Sequence, residues 1–232
     1  MLEIVRIHNE LLGTYGDRGN ADVLAFRAGL AGIKARIRDI AYTDVIPTTA
    51  DIYLLGGAED AAQALSLAAM KKNMALNKAV DKGAVLLAIC AGFQIIGTSY
   101  VNRDEEQSGL GLLDVRTVPG HRRLVGDISI KSDLFEQPLT GFENHGGVTT
   151  LGEGVAPFGR VLVGNGNTGD GAGSLDGAIN GNVFGTYLHG PVLARNPQFA
   201  DLLLERAIGS EITPIHDELA ERYAQWRRAA TK

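Results

Sequence analysis

The sequence predicts one α/β layered domain on a mostly parallel sheet, and three features predict it. Short apolar runs of strand length alternate with helical stretches from Leu2 to Ile96, the pattern of successive strand–helix units. Ala84–Ile89 is apolar without a break, as in strands covered on both faces. The 232 residues include 30 glycines and 7 prolines, so tight turns join many regular elements. No repeat or change of composition marks a linker, and residues 1–232 read as a single domain.

Leu2–His8 alternates through Ile4, Val5 and Ile7 and is the first strand. Asn20–Ala31 carries Val23, Leu24, Ala28 and Leu30 at helical spacing, with Asn20 a candidate cap and Gly32 the stop. Ala35–Ile40 is a second strand, and Asp51–Leu55 a third that runs into Gly56-Gly57. Glu59–Lys82, rich in Ala, Leu, Met and Lys, is helical, Ala84–Ile89 is a strand, and a helix resumes at Phe93–Ile96. The second half is less regular. Asp127–Lys131, Arg160–Val163 and Val183–Thr186 are strand-like, the glycine-rich stretch Gly164–Asp176 is a loop, and Pro197–Ile208 and about 215–230 are helices.

Composition narrows the function. A net charge of −5, from 22 basic and 27 acidic residues, argues against an electrostatic nucleic-acid binder. The longest apolar run, Gly83 to Phe93, is about half of a membrane span, and the charged N-terminus lacks a signal-peptide core. Cytoplasm is therefore expected. The lone Cys90 cannot form an internal disulfide or a multi-cysteine metal site; it is either core filler or a nucleophile.

Its setting favours the nucleophile. Cys90 ends the Ala84–Ile89 strand, Ala91 and Gly92 follow, and a helix begins, the arrangement in which a sharp strand-to-helix turn lifts a side chain above a sheet. The following helix N-terminus favours the thiolate, and the Ala91 N–H is placed to hold an oxyanion. Gly57, after the third strand, could supply a second such donor. A base is then needed. His189 lies just past the Val183–Thr186 strand, and His145, flanked by glycines in Gly141–Gly147, is its rival. His8 is more structural in character, and His121 and His216 belong to solvated segments.

Cys90 with Gly92 and Gln94, Gly56-Gly57 upstream and His189 downstream together resemble class I glutamine amidotransferases. Glu143, His145, Gly147 and Tyr187-Leu188-His189-Gly190 place the likeness in the cobyric-acid-synthase-like branch. With Tyr15-Gly16-Asp17-Arg18-Gly19-Asn20 it comes nearest the glutaminase subunits of lipid II isoglutaminyl synthases, over about residues 2–210. The resemblance implies a three-layer, flavodoxin-like class I glutamine amidotransferase fold with a nucleophile elbow at Cys90 and His189 as base. Arg123 would hold the α-carboxylate of L-glutamine, and Gly57, Ala91 and Gln94 would complete the substrate site.

The resemblance further implies a heterodimer. A Mur-ligase-like synthetase partner would bind ATP and Mg²⁺ and consume the ammonia, with no cofactor in this chain. One departure stands out. Where most class I amidotransferases carry a glutamate two residues after the histidine, this chain has Pro191. Either the chain works as a dyad, or the acid arrives from elsewhere; the resemblance implies that a partner aspartate can supply it in trans. A non-catalytic glutamine-responsive scaffold, a cobyrinate-type amidotransferase and a γ-glutamyl or peptide hydrolase are the competing functions.

Other signals point elsewhere more weakly. Gly164-Asn165-Gly166-Asn167-Thr168-Gly169 matches G-x-G-x-x-G in letters, but poor helix sequence follows it, which excludes a dinucleotide site. Gly13–Gly19 lacks the Lys and Ser/Thr of a P-loop. Asp17 and Asn20 are expected to cap the helix that follows them, with a role at the partner surface the weaker reading. The Asp217–Ala230 helix, with Trp226, Arg227 and Arg228, packs on the core or docks a partner.

Overall fold

A computed structural model of the chain describes residues 1–231. The first half runs β1 (Leu2–Ile7), α1 (Asn9–Leu12), α2 (Gly19–Leu30), β2 (Ala35–Ile40), β3 (Ile52–Leu55), α3 (Asp60–Lys71), α4 (Ala75–Asp81), β4 (Val85–Ile89) and α5 (Ala91–Ile96). Six strands then follow: β5 (Ser99–Asn102), β6 (Glu105–Ser108), β7 (Val115–Lys131), β8 (Leu139–Leu151), β9 (Gly159–Val163) and β10 (Leu175–Asp176). The chain closes with β11 (Ala178–Asn180), β12 (Val183–Thr186), α6 (Val192–Arg195), α7 (Pro197–Ile208) and α8 (Glu218–Ala230).

One sheet has the order β11-β12-β4-β3-β1-β2, parallel throughout except for β11 at its edge. Every residue of β3, β4 and β12 is buried, as expected of central strands covered on both faces. α2, α6 and α7 pack together on one face and α1, α3 and α5 on the other. The expected parallel layered fold is therefore present, with Val85–Ile89 at its centre.

A second sheet, ordered β10-β9-β7-β5-β6 with β8 also paired to β7, is a finding beyond the single expected sheet. Its strands are hard to read because they are polar or interrupted. β6 is Glu-Glu-Gln-Ser, β7 holds Pro119, Gly120 and three consecutive basic residues in its middle, and β8 contains three glycines. The β7–β8 register shifts between Pro119 and Leu124. A bulge of this kind re-aims side chains, and it carries Arg123.

Two element expectations are corrected. The helix expected over Glu59–Lys82 is two helices, because Met74 takes a left-handed φ of 49° and the Asn73 carboxamide oxygen accepts the Ala75 N–H at 3.0 Å, a local side-chain bond that competes with helix continuation. Asn20 does not cap α2: it lies inside the helix, buried, and accepts the Leu193 N–H at 3.0 Å, fastening α2 to α6. No described helix is long and apolar enough to cross a membrane.

Candidate active site

Adjacent strands of the parallel sheet end together, and the segments leaving β1, β3, β4 and β12 meet at their carboxyl ends, where α/β sheets build sites. Cys90 leaves β4 with φ 55° and ψ −110°, a conformation costing on the order of 1–3 kcal/mol that persists only when its surroundings impose it. They do so through two backbone bonds: Cys90 N–H to Thr186 O at 2.9 Å and Gly92 N–H to Gly56 O at 3.2 Å. Gly92 permits the crossing, since a Cβ there would stand 2.8 Å from Leu55 Cβ. Cys90 is only 5% exposed, yet it borders a cavity of about 280 Å³ together with Tyr15, Glu59, Gln94, Arg123 and Asn144.

His189 is fully buried and held on all sides. Its backbone bridges Phe142 through bonds of 2.8 and 3.1 Å. Its ring lies between Phe142, 5.1 Å away and stacked, and Tyr15, 4.8 Å away. Nδ1 meets Asp17 Oδ2 at 2.9 Å, while Nε2 makes no hydrogen bond within the protein. Burial lowers the imidazole pKa, but the hydrogen bond and charge of Asp17, together with the nearby Cys90 sulfur, outweigh it and raise the value to about 10. The Nδ1 contact fixes which ring nitrogen is left to exchange a proton with the sulfur.

Asp17 is the residue that sequence reasoning misplaced. Instead of capping α2 it is buried at 3% exposure, accepting from Gly57 N–H at 3.0 Å as well as from His189. A carboxylate on the imidazole is thus present within this chain. Pro191 is part of the reason: Gly19 lies against its ring, where a Cβ would come within 2.6 Å of Pro191 Cγ, so the loop carrying Asp17 closes onto the histidine turn.

The Gly57 expectation is corrected by the same contact, since its N–H is engaged by Asp17 and does not face an oxyanion. Gly57 serves instead by its missing side chain, as a Cβ would stand 2.8 Å from His189 Cε1 and 2.7 Å from the Tyr15 ring. The Ala91 N–H opens α5 and has no acceptor within its own helix. Gln94 lines the cavity with its amide tied to Gln63, at 2.8 Å, and to the Tyr187 hydroxyl, at 3.2 Å. Arg123 reaches the cavity from the β7 bulge, donating to Asn144 Oδ1 at 2.6 Å and to the Tyr15 hydroxyl at 2.9 Å.

The rival base is otherwise employed. His145 stacks on Tyr187 at 3.6 Å and its Nδ1 lies 2.9 Å from Gly147 O. His8 pairs with Ser66, and His121 and His216 are exposed. Glu143 organises the glycine-rich loop, accepting from Asn165 N–H and Nδ2 and from Gly166 N–H at 2.6–2.9 Å. Burial raises its pKa, but His145, 3.8 Å away, and the hydrogen bonds from Asn165 and Gly166 bring it below the usual value. Asp176, fully buried and bonded to the Thr186 hydroxyl, was not anticipated; burial pushes its carboxyl up to about 7. A strained cysteine, a buried imidazole and an acid on the imidazole's far nitrogen form a constellation for nucleophilic acyl transfer.

Comparisons with known proteins agree with this chemistry. Residues 3–197 match the family model of the CobB/CobQ-like glutamine amidotransferase domain. The GatD subunit of lipid II isoglutaminyl synthase (glutamine-hydrolyzing) from Staphylococcus aureus is 37% identical, over 97% of this chain and 91% of its own. The corresponding subunit from Streptococcus pneumoniae is 34% identical, over 99% of this chain and 93% of its own. Among solved structures, a glutamine amidotransferase superposes with a TM-score of 0.58 at 22% identity, covering 88% of this chain and 98% of its own, a likeness of fold.

Proposed function

Because the chain belongs to the CobB/CobQ-like glutamine amidotransferase family, we propose that it is the glutaminase subunit of a lipid II isoglutaminyl synthase, hydrolysing L-glutamine through Cys90, His189 and Asp17. The family match and two relatives alignable over nearly the whole chain support the reaction. The observation that carries the mechanism is the cysteine–imidazole–carboxylate line within one chain.

His189 Nε2 holds the proton that the thiol gives up, the sulfur bonds the side-chain amide carbon of glutamine, and the resulting oxyanion takes the Ala91 N–H. His189 returns the proton to the departing nitrogen, releasing ammonia and leaving a γ-glutamyl thioester. Water, deprotonated by His189, then cleaves the thioester to give glutamate and the free thiol. Asp17 holds the ring and stabilises the imidazolium. Arg123 binds the substrate α-carboxylate, and Gln94 shapes the cavity wall.

The ammonia is taken up by a Mur-ligase-like partner in a cytoplasmic heterodimer. That partner, using ATP and Mg²⁺, amidates the D-glutamate of lipid II in peptidoglycan synthesis. Both relatives are subunits of a synthase, which supports a partner. The test is ammonia release from L-glutamine: the intact chain produces ammonia and glutamate in equal amounts, and Cys90→Ala abolishes both. Retained release in that variant would remove the sulfur from the reaction.

A further inference from the structure

A glutaminase must tell free glutamine from the many other carboxamides of a cell, and what marks free glutamine is its zwitterionic α-carbon. Carboxylate and ammonium sit on one atom, so a reader of both needs a cation and an anion about one small group apart. The cavity wall has such a pair. Arg123 Nη2 donates to the Tyr15 hydroxyl at 2.9 Å, and that hydroxyl donates to Glu59 Oε1 at 2.7 Å. A single phenolic oxygen therefore bridges guanidinium and carboxylate, and all three residues line the cavity that holds Cys90.

Three further observations fit. Glu59 occupies the N-cap position of α3, yet its side chain makes no capping bond and turns to Tyr15 instead. The pair also stands at the right distance from the nucleophile. Cys90 Sγ lies 3.9 Å from the Asn144 backbone oxygen while Arg123 Nε grips the Asn144 side-chain oxygen at 2.6 Å. One asparagine, a carbon chain of nearly the length of glutamine's, thus spans sulfur to guanidinium. Finally, burial and the Glu59 hydrogen bond push the Tyr15 phenol up to about 12, so it remains a protonated bridge through the neutral range.

We propose that Glu59 is the residue that reads the substrate α-ammonium, and that the Tyr15 hydroxyl holds Glu59 and Arg123 at zwitterion spacing until the substrate's α-carboxylate and α-ammonium take its place. The inference rests on the glutaminase reading of the same cavity and adds to it a specificity-determining residue. Because Glu59 is exposed, its replacement leaves the core untouched.

The experiment measures calorimetric binding of L-glutamine and of glutaramate, which keeps carboxamide and carboxylate but lacks the amine, to the full chain carrying Cys90→Ala. This parent should prefer glutamine by on the order of ten- to a hundredfold, the usual worth of a charge-assisted hydrogen bond. Adding Glu59→Gln should bring the two ligands close to equal, mostly by weakening glutamine. A Glu59→Gln chain that keeps the parent's preference overturns this inference and leaves the glutaminase reading standing. A parent that binds neither ligand overturns both.

Discussion

Asp17 and His189 are 172 positions apart in sequence and 2.9 Å apart in space, and the imidazole's electrostatics depend on that contact. Burial alone would favour the neutral ring, but the bond to Asp17 and the nearby Cys90 sulfur reverse the sign and raise the pKa from 6.5 to about 10. A folded-state pKa above the unfolded one stabilises the fold fully below about pH 6.5 and loses that contribution as pH rises through the folded value. Thermal melts between pH 6 and 10 should therefore show Tm falling toward the alkaline end, with a smaller fall in Asp17→Asn. Parallel curves for the two proteins would show that Asp17 does not set the imidazole's charge. At this scale the sequence was only partly legible. Cys90 and His189 stand at strand ends among small residues, whereas Asp17 precedes a helix and has the local look of a cap. Nothing local records that its carboxylate turns toward a residue at the other end of the chain.

At the scale of elements, the parallel strands were readable and the β7–β8 ribbon was not. β3, β4 and β12 are short and apolar because they are buried on both faces. β7 and β8 interrupt their alternation with glycine, proline and charge, and the bulge that disturbs the pattern is what delivers Arg123 to the cavity. The loop after β9 shows how such irregular backbone is held. Several of its glycines have positive φ, among them Gly164 at 96° and Gly166 at 69°, and its amides converge on buried Glu143. Glu143→Gln keeps the shape but removes the charge from three hydrogen bonds, so it should cost about 2–3 kcal/mol and expose residues 164–174 to protease before the rest of the chain. Denaturant melts with limited proteolysis check this, and unchanged stability with an uncut loop would contradict it.

For the whole molecule, the sheet brings four sequence-distant segments to one edge: Asp17 after β1, Gly57 after β3, Cys90 after β4 and His189 after β12. Topology thus supplies in one chain the acid that Pro191 displaces from its usual place. On the proposed function, the partner would use the ammonia, and the acid on His189 is one that this chain itself holds. The most direct test is the steady-state rate of glutamine hydrolysis by the chain alone, with and without Asp17→Asn. The account predicts measurable turnover by the unmodified chain and a loss approaching about ten-thousandfold in kcat for the variant, the effect of removing the charge of a triad acid. Equal rates for the two proteins would contradict it.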